Sequence, residues 1–103
     1  MANQAIKQLT DRYKSSANEK HSVIREFRQM LARTTAVNES DLLEMKHYVH
    51  KLAGSAGMYG FDDLHCAAQT ALKVCEQELK QIQEVDLDKA FQAIMVELEK
   101  LGD

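Results

Sequence analysis

The sequence predicts an all-α fold, an antiparallel four-helix bundle that leaves room for an extra N-terminal helix. Apolar residues recur at spacings of three and four along most of the chain, which is the pattern of helices that bury one face. The chain has no proline and no tryptophan, and few of the β-branched runs and turn dipeptides that indicate strands and hairpins. Its 103 residues, 45% of them apolar, are enough for one core, so we expect a single helical domain over residues 1–103.

The first helical segment covers residues 3–36. Polar residues interrupt its apolar repeat between Ser15 and Lys20, so the segment is either one long helix or two helices that meet near residues 15–20. We expect Thr34, Thr35 and Val37 to end it, with Asn38 following. The apolar positions of the repeat are Ile6, Leu9, Tyr13, Ala17, Ile24, Phe27 and Leu31.

The next helix contains the middle of the sequence. Ser40 is its predicted N-cap, with Asp41 and Glu44 favourably placed near the positive end of the helix dipole. Gly60 is suited to the left-handed C′ position after the helix, and Phe61 to the apolar contact that accompanies such an ending. The predicted buried stripe is Leu42, Met45, Val49, Leu52, Ala56 and Tyr59.

Two more helices complete the predicted bundle. Asp62 is positioned to cap the first of them, whose apolar repeat runs for six turns with alanines where it packs against the preceding helix. The last helix is expected to begin at Asp86 and to end at Gly102. The six-turn repeat consists of Leu64, Ala68, Ala71, Leu72, Cys75, Leu79 and Ile82.

Charge and composition exclude several classes of protein. The net charge is −3 and the basic residues alternate with acidic ones, so we expect neither a nucleic-acid partner nor a membrane partner. No apolar run approaches the ~18 residues of a membrane span, and no signal peptide is evident, so a cytoplasmic protein is expected. Cys66 and Cys75 are separated by about 13 Å along one predicted helix, too far for a disulfide, and should be reduced.

The helix around His50 carries the strongest functional signal. Small residues, Ala53, Gly54 and Gly57, follow His50 on one side of this helix. A glycine inside a helix lowers stability by roughly 0.5–1 kcal/mol relative to alanine. Two glycines in this helix therefore indicate that they serve a purpose other than helix formation. We expect this side to be open, Ala53 included, with Gly54 and Gly57 allowing another molecule to approach the imidazole closely. A free imidazole has a pKa of about 6.5, which makes a neutral nitrogen nucleophile available near pH 7.

The run His50-Lys51-Leu52-Ala53-Gly54-Ser55-Ala56-Gly57, closed by Gly60, resembles the motif of histidine-containing phosphotransfer (HPt) domains. In that family a histidine in the middle of a helix of a four-helix bundle passes a phosphoryl group to or from an aspartate of a response-regulator receiver domain. The resemblance implies that His50 is the phosphorylated residue. One difference is that Ala53 replaces the lysine usual three residues after the histidine.

The resemblance implies a phosphorelay intermediate of two-component signal transduction, a phosphoprotein that is not an autonomous kinase. Its partners would be receiver domains, including that of a hybrid sensor histidine kinase, and magnesium is expected on the receiver while this chain needs no cofactor or metal of its own. Lys46 and Lys51 can offset phosphoryl charge, and Gln69 lies near the positions whose side chains hydrogen-bond the active imidazole in the family. We expect a monomer, and the initial methionine and the capped last helix favour a free-standing protein.

Two other functions fit the residues. One is a helical protein-interaction module without phosphotransfer, in which the glycine side of the helix docks a partner. The other is a metal-binding helical domain, because His47 and His50 share a helix face. Its candidate ligands are His47, His50, His65, Cys66 and Cys75.

Overall fold

The structure, a computed structural model, describes residues 2–34 and 37–102, and the side chains of residues 4–34 and 37–101. These ranges contain the helices α1 (Ala2–Ser15), α2 (Ala17–Arg33), α3 (Glu39–Met58), α4 (Asp62–Cys75) and α5 (Glu84–Gly102), with a 3₁₀ turn at Leu79–Gln81. Within them no residue forms a strand, which confirms the all-α prediction. Thr35, predicted to help end the first segment, lies outside the described residues. None of the described helices has the length and apolarity needed to span a membrane.

Helices α2 to α5 form the predicted four-helix bundle. α2 packs along α5, α5 along α4, and α4 along α3. The pairs Arg28–Asp88 and His21–Glu99 show that α2 and α5 are antiparallel. Helices α2 and α3 are joined by an edge-to-face contact between Phe27 and Tyr48, whose ring centroids lie 5.7 Å apart. The centre of the bundle is formed by side chains with no exposed surface, among them Ile24, Val49, Leu87, Phe91 and Ile94.

Helix α1 is the extra N-terminal helix. It meets α2 at Ser16, which confirms the alternative of two helices over one, although the break is slight because Ser16 N–H still donates to the Arg12 carbonyl. Tyr13 of α1 is buried, whereas Ile6 and Leu9 are 58% and 45% exposed. The N-terminal part of the predicted apolar repeat therefore lies outside the core, because α1 makes few contacts with the rest of the bundle.

The two ends of α3 differ in how well the sequence predicts them. The predicted N-cap, Ser40, is wrong, because Asn38 has the extended backbone of an N-cap and its Oδ1 accepts a hydrogen bond from the Asp41 N–H at 2.8 Å. At the other end Gly60 has φ +82°, and Phe61 N–H donates to the Ala56 carbonyl at 2.9 Å, so the predicted role of Gly60 is confirmed as part of a Schellman motif.

The prediction of a six-turn helix after Asp62 is wrong, because α4 ends at Cys75. Acidic Glu76 and Glu78 follow, and carboxylates are unfavourable at the negative end of a helix dipole. Ile82 is still buried, but it reaches the core from the connection between the helices. The start of α5 is likewise two residues earlier than predicted, at Glu84.

The two cysteines lie in different environments. Both are free thiols; Cys66 is exposed and Cys75 is buried at the end of α4. Burial raises the pKa of the Cys75 thiol to about 11. This thiol should therefore be unreactive in the folded protein.

We predict that an aromatic disulfide reagent at pH 8 modifies one thiol quickly and the second only after unfolding, with Cys66→Ser abolishing the fast phase.

The folded pKa of Cys75 lies above its value of 9.0 for an exposed thiol. The fold thus holds this proton more tightly than the unfolded chain and should lose stability as pH rises from about 9 to 11. Urea unfolding at pH 8 and 10 should show a larger loss for the parent than for Cys75→Ala; equal losses would contradict the assignment.

Candidate functional site

One side of α3 faces solvent along its whole length. Leu43, His47, His50, Gly54 and Met58 follow one another at spacings of four, three, four and four, and all five are exposed. We call these five residues the outer face. The opposite side of α3 is held in the core by Leu42, Met45, Val49, Leu52, Ala53 and Ala56. His50 therefore projects from the middle of a firmly anchored helix.

Gly54 is the open position beside His50. It lies one turn after the histidine, and a Cβ added there would meet nothing within 4 Å. The absence of a side chain is thus not required by packing inside the molecule. It leaves bare backbone next to the imidazole, where another molecule can approach.

Gly57 is exposed as expected, but unlike Gly54 it has a side chain packed close to it. A Cβ at Gly57 would lie 2.9 Å from Nδ1 and 3.2 Å from Cε1 of His65 on α4. The glycine leaves space for this imidazole ring. Its close approach is therefore to a side chain of the same protein.

Ala53 is also not exposed as expected, since only 4% of its surface is accessible. The Nδ1 atom of His65 lies 2.7 Å from the Ala53 carbonyl oxygen and forms a hydrogen bond with it. Ala53 is small because α4 packs against it. A lysine at this position would have to move the neighbouring helix or leave the core.

Two lysines flank the outer face on opposite sides. Lys46 is half-buried in a cleft between α3 and the end of α4, which Cys75 and Glu76 also line. Lys51 is exposed at the edge of a cavity of about 200 Å³ between α2 and α3, whose lining includes Lys20. Within the described residues neither Lys46 nor Lys51 forms an ion pair. Both ammonium groups are free to compensate a negative charge.

The C-terminal half of α3 is tied to α1 through Tyr13. Its hydroxyl is hydrogen-bonded to Ser55 Oγ at 2.9 Å, and its ring lies 5.1 Å from that of Tyr59 and 5.3 Å from that of Phe61. Lys20 Nζ lies 4.3 Å from the centre of the Tyr13 ring. Burial raises the pKa of Tyr13 and lowers the pKa of Lys20. These contacts support α3 on the side away from the outer face.

Gln69 lies on α4, the helix next to His50. The contact of Gly57 with His65 and the cleft shared by Lys46 and Cys75 define the antiparallel register of α3 and α4. This register places residue 71 at about the level of His50, with Gln69 within one turn of it. Gln69 is exposed there, but it forms no side-chain hydrogen bond within the described part of the chain. Its role toward the imidazole stays a prediction.

The metal-binding alternative gains no support from the geometry. Among the described residues, no group of three or more histidine, cysteine, aspartate or glutamate side chains is placed to hold a metal ion. His47 and His50 lie on the outer face, whereas His65 is turned toward Ala53.

Sequence reasoning missed three residues of this region. Leu43 and Met58 are large apolar side chains that are 53% and 72% exposed at the two ends of the outer face. Their positions outside the buried stripe of α3 were a signal that could have found them. His65 was considered only as a metal ligand, and no local pattern showed that it would fill the space at Gly57.

The fold and the site together define a class of protein: a helical bundle that presents His50 in the middle of a helix, beside open backbone and between two lysines. The family model of the Hpt domain matches residues 8–101. The chain therefore belongs to the Hpt domain family, whose members act in two-component phosphorelays as phosphocarriers and interact with response-regulator receivers. Neither the curated proteins nor the solved structures include a match to it.

The two glycines provide a matched pair of stability measurements. Gly54→Ala should raise the free energy of unfolding by roughly 0.5–1 kcal/mol, because alanine favours the helix and its Cβ meets nothing. Gly57→Ala should gain less or lose stability, because its Cβ requires the His65 ring to move. Urea denaturation of both variants measures the difference. Equal gains would show that His65 does not pack on Gly57.

Proposed function

We propose that His50 accepts a phosphoryl group from an aspartate of a response-regulator receiver domain and donates it to another. The observation that carries this proposal is the exposed position of His50 beside Gly54, with the preceding residue, Val49, fully buried. A fixed helix holds the nucleophile, and the open glycine lets the partner's phosphoaspartate come within reach. His47 is also exposed, but one turn after it stands His50 instead of a small residue.

The transfer is a direct exchange of one bond for another. The lone pair of the unprotonated ring nitrogen of His50 forms a P–N bond while the P–O bond to the receiver's aspartate breaks. The aspartate leaves as a carboxylate with the electron pair, and the other ring nitrogen keeps its proton. Because the transition state is loose, placement and charge compensation matter more than covalent chemistry from the protein. The reverse sequence returns the group to an aspartate.

The groups around His50 fit such a carrier. Lys46 and Lys51 would offset the charge of about −1.5 to −2 on the phosphoryl group, and Gln69 would hydrogen-bond near the imidazole. In this proposal the receiver supplies magnesium, and the chain has no cofactor and no kinase activity of its own.

The outer face also fits a protein partner. Exposed Leu43 and Met58 lie on either side of His50 and Gly54, so an apolar surface on the receiver could cover both ends while the phosphoaspartate meets the centre. We propose that a monomer in the cytoplasm binds receivers in this way, including that of a hybrid sensor histidine kinase.

We predict that a phosphorylated receiver, but not ATP alone, labels the protein with an acid-labile, base-stable phosphoryl group. His50→Gln should abolish the labelling, and the matched change His47→Gln one turn earlier should largely retain it. The measurement is transfer of radiolabelled phosphate between purified proteins. An interaction module without phosphotransfer predicts no labelling of the parent, and labelling that depends on His47 would refute the assignment.

A second prediction tests the outer face as the docking surface. Met58→Asp should weaken receiver binding about tenfold or more, because it places a charge in a desolvated apolar contact. The control is Val85→Asp, another exposed apolar residue, on α5, which packs on α2 and α4 and has few contacts with α3. Calorimetric titration with receiver and urea denaturation should show a binding defect for Met58→Asp only and little loss of stability for either. Equal binding by both variants would place the interface elsewhere.

A further inference from the structure

His65 is held in one orientation between α3 and α4. Because a carbonyl oxygen only accepts hydrogen bonds, the 2.7 Å contact with Ala53 means that Nδ1 of His65 carries a hydrogen. The edge of the ring that includes Nδ1 lies over Gly57. Nε2 has no partner, and no side-chain nitrogen or oxygen among the described residues is both buried and unpaired. Nε2 is therefore accessible to solvent.

This arrangement allows His65 to gain a proton without moving. Protonation occurs at Nε2, and Nδ1–H continues to donate to Ala53. Histidine is the side chain whose ordinary titration falls between about pH 5 and 8. The charge would then stay anchored, whereas the ammonium groups of the flanking lysines lie on flexible stems.

The anchored ring is close enough to His50 for an electrostatic effect. Ala53 is about 4.5 Å and Gly57 about 10.5 Å beyond His50 along the helix axis. A ring that contacts both is therefore separated from His50 by roughly 4.5 to 10.5 Å along the axis, a spacing comparable with the Debye length of about 8–10 Å at ordinary salt. An imidazolium there would attract a phosphoryl group on His50.

Acidic residues precede His65 on α4, and their negative charge reduces the field of an imidazolium at this ring. Asp62 lies one turn before it on α4, and the contacts that α3 makes with the ring come from the uncharged Ala53 and Gly57. Within the described residues His65 forms no ion pair. The titratable groups at this end of the bundle are Asp62, Asp63 and Cys66 in the first two turns of α4, Glu97, Glu99 and Lys100 in the last two turns of α5, and His50 and Lys51 in the C-terminal half of α3, with Tyr59 following that helix.

We propose that His65 is a positioning residue whose protonated ring stabilises the phosphoryl group on His50 and makes phosphotransfer by this chain dependent on pH. The proposal rests on the proposed phosphorylation of His50. Two partly screened charges at this separation near a protein surface correspond to about a two- to fivefold effect on rate or lifetime.

The test compares the parent with two variants that keep a hydrogen-bond donor for Ala53. His65→Gln is neutral at every pH, and His65→Lys is charged across the range. Transfer from one phosphorylated receiver and the lifetime of the phosphohistidine are measured at about pH 6 and pH 8, at low and high salt. Protonation of His50 itself affects all three proteins, so the ratio of parent to variant is the quantity compared.

We expect the ratio of parent to His65→Gln to be about two- to fivefold larger at pH 6 than at pH 8, while the ratio of His65→Lys to His65→Gln is the same at both. High salt should reduce the ratios. A ratio that does not change with pH would mean that His65 has only a structural role, and would overturn the proposal. If the parent takes no label at pH 8, the proposed function fails and this inference fails with it. Normal labelling with a ratio that does not change with pH would refute only the role of His65.

Gly57→Ala provides a test that leaves His65 in the sequence, in case both variants fold poorly by circular dichroism. Its Cβ would displace the ring. This variant should lose the pH-dependent part of the parent's advantage. Retention of the full pH dependence would contradict the anchoring by Ala53 and Gly57.

Discussion

The close packing of α3 against α4 is the constraint on which the site depends. Several of the buried residues of these two helices are small: Ala53, Ala56, Ala68 and Ala71 each expose 4% of their surface or less. Short side chains let the helix axes approach, and each helix then buries its apolar side fully. α3 is thereby held along its inner side while its outer face stays in solvent. The backbone of a histidine in the middle of such a helix is held in place while its ring is exposed to solvent. This suits a group that must be reached by two different partners.

The same packing organises the charges around His50. The chain as a whole carries a net charge of −3, yet Lys46 and Lys51 flank the outer face, and His65 adds a titratable group from the neighbouring helix. In the proposed function these groups share the charge of the phosphoryl group without enclosing it. Exposed charges in water give small individual energies, so they can steady the phosphohistidine while leaving its release to the next receiver favourable.

The sequence was a good guide to the fold and an incomplete one to the helix ends. Apolar periodicity predicted the bundle and the extra helix, because each helix must bury one side whatever its neighbours are. The same periodicity extended α4 to Ile82, although the helix ends at Cys75, because a buried residue in a connection keeps the spacing of a helix by coincidence. The choice between Asn38 and Ser40 as N-cap depended on backbone angles that two similar residues do not reveal.

The sequence by itself determined the class of fold and the ending of α3 at Gly60, because these follow from periodicity and from residues adjacent in the chain. The candidate role of His50 came from the resemblance of its surrounding run to the HPt motif. Only the tertiary structure decided which small residues of α3 are open. Gly54 and Gly57 are both exposed and Ala53 is buried, and Gly57 and Ala53 lie against the ring of His65 from α4. All three look alike in the sequence. They differ because the contact joins residues twelve positions apart on two antiparallel helices, whose register is set by packing along their whole length.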